Sequence, residues 1–305
     1  MSLTSTVRSR LSIKISLTLA VLLLVLTTGA AAYITYTRTE QMEASTLEKA
    51  RLGAALGARQ YGEIFDNAID SGLLTVNDVF DRSYVEIKGW SWGDKPKFHT
   101  RFDAFCDRAV LVFQDKFLES GDFLFAVGVD NNGYLPTHNT RYQQPLTGVA
   151  EKDLPGNRTK RVFNDPVGLA AAKNVEPGFL QDYPRDTGER MWDVSSPIFV
   201  KGKHWGGFRI GVSMERIAAK KRDLVITLTL VFAAFAVITI LTMYVVVERA
   251  MRPVVELTAA ADSISMGDGL DTPIKSTSTD EIGQLTKAVE RLRVSMKAAM
   301  SRLGG

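Results

Sequence analysis

The apolar residues of this chain are clustered, and their spacing changes along its length. Two stretches, ISLTLAVLLLVLTTGAAAYITY (15–36) and LVITLTLVFAAFAVITILTMYVVV (224–247), are almost continuously apolar and carry no charge. A bilayer core takes about 20 apolar residues in a helix, and a charge there is costly, so both stretches predict membrane-spanning helices. Beyond the first, Leu52, Leu56, Phe65, Ile69, Leu73, Val76 and Phe80 mostly recur at helical spacing. They predict that the span continues outward as a long helix, its pattern weakened but not broken by Gly53, Gly57 and Gly62. GWSWGDKP (89–96) interrupts the periodicity. A second helix is then expected, with Phe102, Phe105, Ala109, Val112, Phe113, Phe117 and Leu118 on its apolar face.

In FLFAVGV (123–129) the period becomes that of a strand, with Phe123, Phe125, Val127 and Val129 on one face. Asn132-Gly133 suits a turn with positive φ at the glycine, and GYLPTHN is expected to return as the second strand of a hairpin. RTKRVF (158–163) reads as a short strand or turn, and PVGLAAAKN (166–174) as a short helix. ERMWDVSSPIFVKGKHWGGFRIGVSM (189–214) reads as two strands joined at KGKH. The expected outer domain is an antiparallel sheet packed against helices.

After the second span, Val254, Leu257, Ala261 and Ile264 follow Pro253 at helical spacing, and MGDGLDTPIKSTSTD (266–280) forms a connector. Ile282, Leu285, Val289, Leu292, Met296, Ala299 and Leu303 then alternate steps of three and four, a sustained a/d seam. Two short heptad helices cannot bury such seams alone, whereas two copies can as a four-helix bundle. A homodimer is therefore expected, in preference to a helix lying on the membrane, because the seam is narrow.

Charge sets the orientation. Arg8, Arg10 and Lys14 favour a cytoplasmic N-terminus. Lys220, Lys221 and Arg222 before the second span oppose Arg249 and Arg252 after it, but the charge rule counts short loops, so the N-in reading is kept. Ala30 and Ala32 resemble a signal-cleavage site, but the apolar run exceeds the usual 7–15 or so residues of a signal peptide, so an uncleaved anchor is expected. The expected organisation is a cytoplasmic tail (1–14), a first span (15–36), an outer domain (37–223), a second span (224–247) and a helical coiled-coil tail (248–305). The fold class is an α+β membrane protein.

Composition narrows the function. A net charge of +3, with no basic stripe carrying interleaved aromatics, gives no reason to expect a nucleic-acid partner. The single Cys106 allows neither an internal disulfide nor CxxC or CxxCH, and packing is its expected role. GxSxG, HExxH and Walker patterns do not occur and the three histidines are scattered, so no enzyme is expected.

The tail resembles a HAMP module, the signal converter of bacterial transmembrane receptors, from about residue 250 to 303. Pro253, the DEIG string at 280–283, and the connector hydrophobes Leu270 and Ile274 carry that resemblance. The outer domain resembles the PAS-like, Cache-type sensor region of methyl-accepting chemotaxis proteins. It does so through NGYLPTHN (132–139), NRTKRVFNDPVGLAAAKN (157–174), DTGERMWDVSSPIFVKGKHWGGFRIG (186–211) and, more weakly, TRFDAFCDR (100–108). The resemblance implies a periplasmic sensor for a small-molecule ligand in a bacterial inner membrane. It also implies coupling of span to bundle through Pro253 and Glu281, with Gly283 needed for close backbone packing. Some relatives carry covalent haem on CxxCH; this chain lacks that motif, so no cofactor and no metal are expected. Chemotaxis receptors continue into a methylated hairpin, while this sequence stops at Gly305 and has no histidine after His204. The expectation is an input and converter without output, either as a truncated receptor or with a partner chain supplying output. The alternative is an accessory subunit that heterodimerises with a full-length receptor or kinase and binds no ligand.

Candidate ligand-binding residues are Tyr134, His138, Asn139, Arg158 and Arg161. On a return strand Tyr134, Pro136 and His138 share a face opposite Leu135, Thr137 and Asn139, and Pro136 argues for an edge or bulge. Tyr134 and His138 either offer rings with polar tips to a pocket or hydrogen-bond the neighbouring turn. Arg158, Lys160 and Arg161 either clamp a carboxylate or form a solvated face paired with Asp165 or Glu189. Trp192 is expected in the core and Asp193 at the surface.

Overall fold

The computed structural model describes residues 11–90, 95–185, 188–275 and 278–303. Arg8, Arg10 and Trp92 lie outside the described residues, as do Asp186, Thr187 and Gly305. The chain divides into an outer unit, Tyr36–Val225, and a second unit made of the remainder.

Helix α1 (Leu11–Asp70) is continuous, so the first apolar run does extend into a long outer helix. The side it buries is not the leucine side. Ala50, Ala54, Ala58, Tyr61 and Phe65 are buried, while Leu52 and Leu56 are 60% and 52% exposed. A Cβ on Gly57 would lie 2.2 Å from Phe208 Cε1, and one on Gly53 2.7 Å from Ile210 Cδ1. Small residues let the helix backbone lie directly on the sheet, and the glycines that weaken the periodicity mark the packed face.

A short helix, α2 (Val76–Val79), opens on a Thr75–Asp78 capping box. Strands β1 (Val85–Glu86) and β2 (Phe98–His99) pair antiparallel. The expected second helix is two, α3 (Asp103–Ala109) and α4 (Leu111–Lys116), joined at Val110. The break leaves Val112 64% exposed while Phe102 and Phe113 are buried.

The main sheet is antiparallel with order β3-β8-β7-β6, built from β3 (Phe125–Asp130), β6 (Phe179–Pro184), β7 (Arg190–Val200) and β8 (Lys203–Ser213). The β7–β8 hairpin turns at Lys201-Gly202, as the KGKH string predicts. The β3–β4 hairpin does not form. After the turn at Gly133 (φ +83°), β4 (Tyr134–Leu135) pairs with β5 (Arg161–Val162), while β3 pairs with β8. Pro136 lacks an N–H, and the chain stops being a strand there. The free edge of β3 is closed by side-chain amides: Ala126 N–H donates to Asn139 Oδ1 (2.9 Å) and Gly128 N–H to Gln114 Oε1 (3.1 Å). Satisfying edge donors in this way removes a template for pairing with another chain.

One face of the sheet, with Ala126, Val194, Phe208 and Ile210, packs on α1, α3 and α4. Trp205 sits among Phe65, Tyr61 and Phe102 at centroid distances of 5.1, 5.2 and 5.7 Å. Trp192 joins this core, as expected. Helices α5 (Ala150–Gly156) and α6 (Pro166–Lys173) serve the other face.

Strand β8 ends at Ser213, and α7 (Met214–Ser265) begins at the next residue. It runs through Pro253 without interruption, so Pro253 lies within a helix and does not begin one. Helix α8 (Glu281–Leu303) follows the connector. Both α1 and α7 are long and apolar enough to cross a membrane, and their apolar windows are hardly buried by protein. That exposure separates them from the core helices of a soluble fold.

Candidate functional site

The second face of the sheet holds a cavity of about 710 Å³, within the range of small-molecule pockets. Register puts Phe125, Gly211 and Asp193 in one row and Val127, Arg209 and Ser195 in the next. Asp165 caps α6 by accepting the Val167 and Gly168 N–H groups at 3.1 and 3.0 Å, and Pro166 stands in its first turn. The β4–β5 pair and the end of β6 close the cavity, bringing Leu135, Val162, Phe163, Tyr183 and Arg185 to its wall.

The wall is strongly cationic. Among the described residues, Lys95, Arg158, Arg161, Arg185 and Arg209 line it against one carboxylate, Asp165. Asp193 stands behind Arg209, accepting from its Nε at 2.9 Å and also from Nη2. Asp193 is fully buried, which corrects the expectation of a surface aspartate: it supplies the counter-charge for a buried arginine. Its Oδ1, like Ser195 Oγ, is buried without a hydrogen-bond partner. The guanidiniums of Arg158, Arg161, Arg185 and Arg209 are all less than a tenth exposed, so the expectation of a solvated charged face is also corrected.

His138 lines the same cavity. Its ring lies 4.5 Å from Tyr142 and 6.1 Å from Phe125, and its Nδ1 accepts the Asn139 N–H at 2.8 Å. In a neutral imidazole with Nδ1 accepting, Nε2 carries the proton. Burial, reinforced by the charges of Arg158, Arg185, Lys97 and Arg161, pushes the imidazole well below its usual range. His138 is therefore a neutral donor.

The other candidates separate. Arg158 and Arg161 reach the cavity wall, whereas Tyr134 and Asn139 do not. The Tyr134 hydroxyl is 2.8 Å from Asp103 Oδ2 and 2.8 Å from Phe98 O, inside the helix-side core. Asn139 closes the β3 edge. Lys160 sits at φ +61° and ties Asp107 (2.7 Å), Asp103 (3.3 Å) and Pro136 O (2.9 Å) together. Sequence reading missed Lys95, Lys97, Arg185 and Arg209. The available signal was Arg209 itself, a charge within an apolar strand. Lys97 is fully buried and donates to Asn157 Oδ1 (2.6 Å), Asn157 O (3.2 Å) and Thr159 O (2.6 Å), fixing the segment that carries Arg158. Burial, with Arg161, Arg158 and Lys160 adding to it, lowers its pKa to about 7.

In the second unit, Leu257 and Ile264 are buried, while Leu285 and Leu292 of the α8 seam are 44% and 55% exposed. The connector is latched to α8. Glu290 Oε2 accepts the Ile274 N–H at 2.9 Å, Arg293 donates to Leu270 O, and Arg293 pairs with Glu290 at 2.7 Å. Residues 245–298 match the HAMP domain family. The chain carries a HAMP domain. Pro253, Glu281 and Gly283 all lie within it, and a Cβ on Gly283 would be 2.0 Å from Ser278 O.

Among solved structures, the chain is similar to the sensory domain of the Campylobacter jejuni chemoreceptor Tlp3 (CcmL) with isoleucine bound. Identity is 13% and the TM-score 0.29, over 59% of this chain and 64% of that one. The ligand-binding domain of the same chemoreceptor with 4-methylisoleucine gives 13%, 0.30, 58% and 62% in the same order. The extracellular domain of a putative histidine kinase, vpHK1S-Z8, gives 14%, 0.27, 59% and 61%. The chain thus spans less than two thirds of each of these structures. No curated protein matches it.

Proposed function

We propose that the protein is a non-catalytic, two-pass receptor of the bacterial inner membrane, chemoreceptor-like in organisation. Residues 37–223 form its periplasmic sensing domain, the cavity takes a small ligand, and the HAMP domain relays the signal. The observation that carries this reading is continuity of the chain from the cavity. Arg209 lines the cavity on β8, β8 passes into α7 without a loop, and α7 enters the HAMP domain. A ligand that contacts Arg209 in one packing better than in another shifts the balance between them. Along a continuous helix, such shifts are about 1–2 Å. A second copy of the chain covers the exposed Leu285 and Leu292 seam, giving a homodimer. Pro253 and Glu281 couple span to bundle, and Gly283 keeps the backbone at its first turn close.

The test is a chimera in which residues 1–303 are joined to a kinase output and exposed in cells to a broad panel of small molecules. A panel member should change the output, and Arg161→Gln should abolish that response without changing the amount of protein. If no compound alters the output, or if the response ignores both Arg161→Gln and Glu281→Ala, the reading fails.

A further inference from the structure

The four arginines of the cavity form two pairs, each over its own aromatic ring. Arg158 and Arg161 lie over Phe163, with Cζ 5.3 and 4.8 Å from the ring centroid. Arg185 and Arg209 lie over Phe125 at 5.8 and 6.0 Å. The first pair comes from the segment entering β5, the second from the end of β6 and the middle of β8. An aromatic face beneath a guanidinium favours its charge and leaves the N–H groups in its plane free in direction for a carboxylate fork. Val127, Leu135 and Val162 add an apolar wall suited to a carbon skeleton.

Donors and acceptors are unequal in number. The arginines, Lys95 and His138 Nε2 all donate. Of the nearby carboxylates, Asp165 Oδ1 accepts from α6 and Asp193 Oδ2 from Arg209. A ligand ammonium would enter a field set by five cationic side chains, where like charge is repelled.

We propose that the ligand of this cavity is a compact organic dianion, a dicarboxylate in its simplest form. One anionic group sits at the Arg158–Arg161 pair and the other at the Arg185–Arg209 pair. Amino acids and amines are rejected by charge. The proposal rests on the cavity being the sensing site.

The experiment is titration calorimetry on the full-length protein in lipid nanodiscs at pH 7 and low salt. The probes are succinate, glutarate and phthalate, their monoanionic counterparts butyrate and benzoate, inorganic phosphate, a set of amino acids, and simple amines. A diacid should bind at least about tenfold more tightly than the monoacid of similar body, and its affinity should fall as salt rises. Arg161→Gln and Arg185→Gln should each weaken the diacid by about tenfold or more, and each should narrow its advantage over the monoacid. Arg161→Lys and Arg185→Lys, which keep the charge, should retain part of it and serve if the glutamine variants do not fold. Tighter binding of an amino acid, an amine, a monoacid or inorganic phosphate overturns the dianion assignment and leaves the sensor reading standing. Silence across every class, amino acids and amines included, overturns both.

Discussion

Replacing Asp193 by Asn would leave the Arg209 guanidinium buried beside a neutral amide. Asp193 is fully buried and Arg209 is 6% exposed, so water does little to replace the lost counter-charge. Breaking a buried pair by removing one partner costs about 3–5 kcal/mol. The cavity beside Arg209 admits some solvent, which favours the lower end, about 3 kcal/mol. For an outer unit running from Tyr36 to Val225, each kcal/mol moves Tm by about 2–4 °C, so a drop of about 6–12 °C is expected. Removing both charges, as in Asp193→Leu with Arg209→Met, should cost less than the single change, because no uncompensated charge remains. The assay is intrinsic-fluorescence thermal unfolding of the full chain in nanodiscs. A second readout has the opposite sign: with Arg209 released from Asp193, an anion should bind Asp193→Asn more tightly than the parent and restore much of the lost Tm. A single variant within about 1 kcal/mol of the parent would refute the reasoning. So would a double variant that loses as much as the two singles together.

Lys97→Met tests the buried ammonium by pH. The folded protein releases the Lys97 proton near 7 while the unfolded chain holds it to about 10.5, so between those values the unfolded state binds more protons and stability rises with pH. The contribution is lost as pH falls from about 10.5 to about 7, with a slope of at most about 1.4 kcal/mol per pH unit. The stability of the parent relative to Lys97→Met should therefore grow between pH 7 and pH 9 in denaturant unfolding, and a flat difference would count against the buried charge. Tyr134→Phe, which strips a hydroxyl from Asp103 and Phe98 O, should cost about 1–3 kcal/mol and leave ligand affinity unchanged. A loss of affinity at unchanged stability would return Tyr134 to the binding site. Arg293→Ala removes both the Leu270 carbonyl contact and the pairing that, with the Ile274 N–H, brings the Glu290 carboxyl down to about 2. Amide exchange over residues 270–275 should accelerate, and unchanged exchange would show that the latch does not hold the connector.

Some of the candidate site was legible from sequence and some was not. His138, Arg158 and Arg161 belong to one short region, where a basic group follows a strand signal, and all three line the cavity. Tyr134 shares their string but turns to the other side of the molecule, because β4 pairs with β5 and not with β3. Arg185 and Arg209 sit far along the chain, and no spacing rule links them to Arg158. Asp193 reads as polar and therefore exposed; only the register that sets Ser195 opposite Arg209, one position along the strand, shows it to be buried.

What the sequence by itself determined were the features held in consecutive residues: two uncharged apolar runs, the heptad seam and DEIG string of the HAMP domain, and the β7–β8 hairpin around Lys201-Gly202. Such patterns report on helix and strand locally, since each residue's neighbours are fixed by the covalent chain. Tertiary structure decided the rest. It chose the Gly53–Gly57 side of α1 over the Leu52–Leu56 side, because backbone approach to Phe208 and Ile210 buries more than two leucines held at a distance. It also gathered four arginines around Phe125 and Phe163. Burial of a charge depends on which counter-charges and rings the sheet brings to it, and those partners come from strands that meet only when the chain is folded.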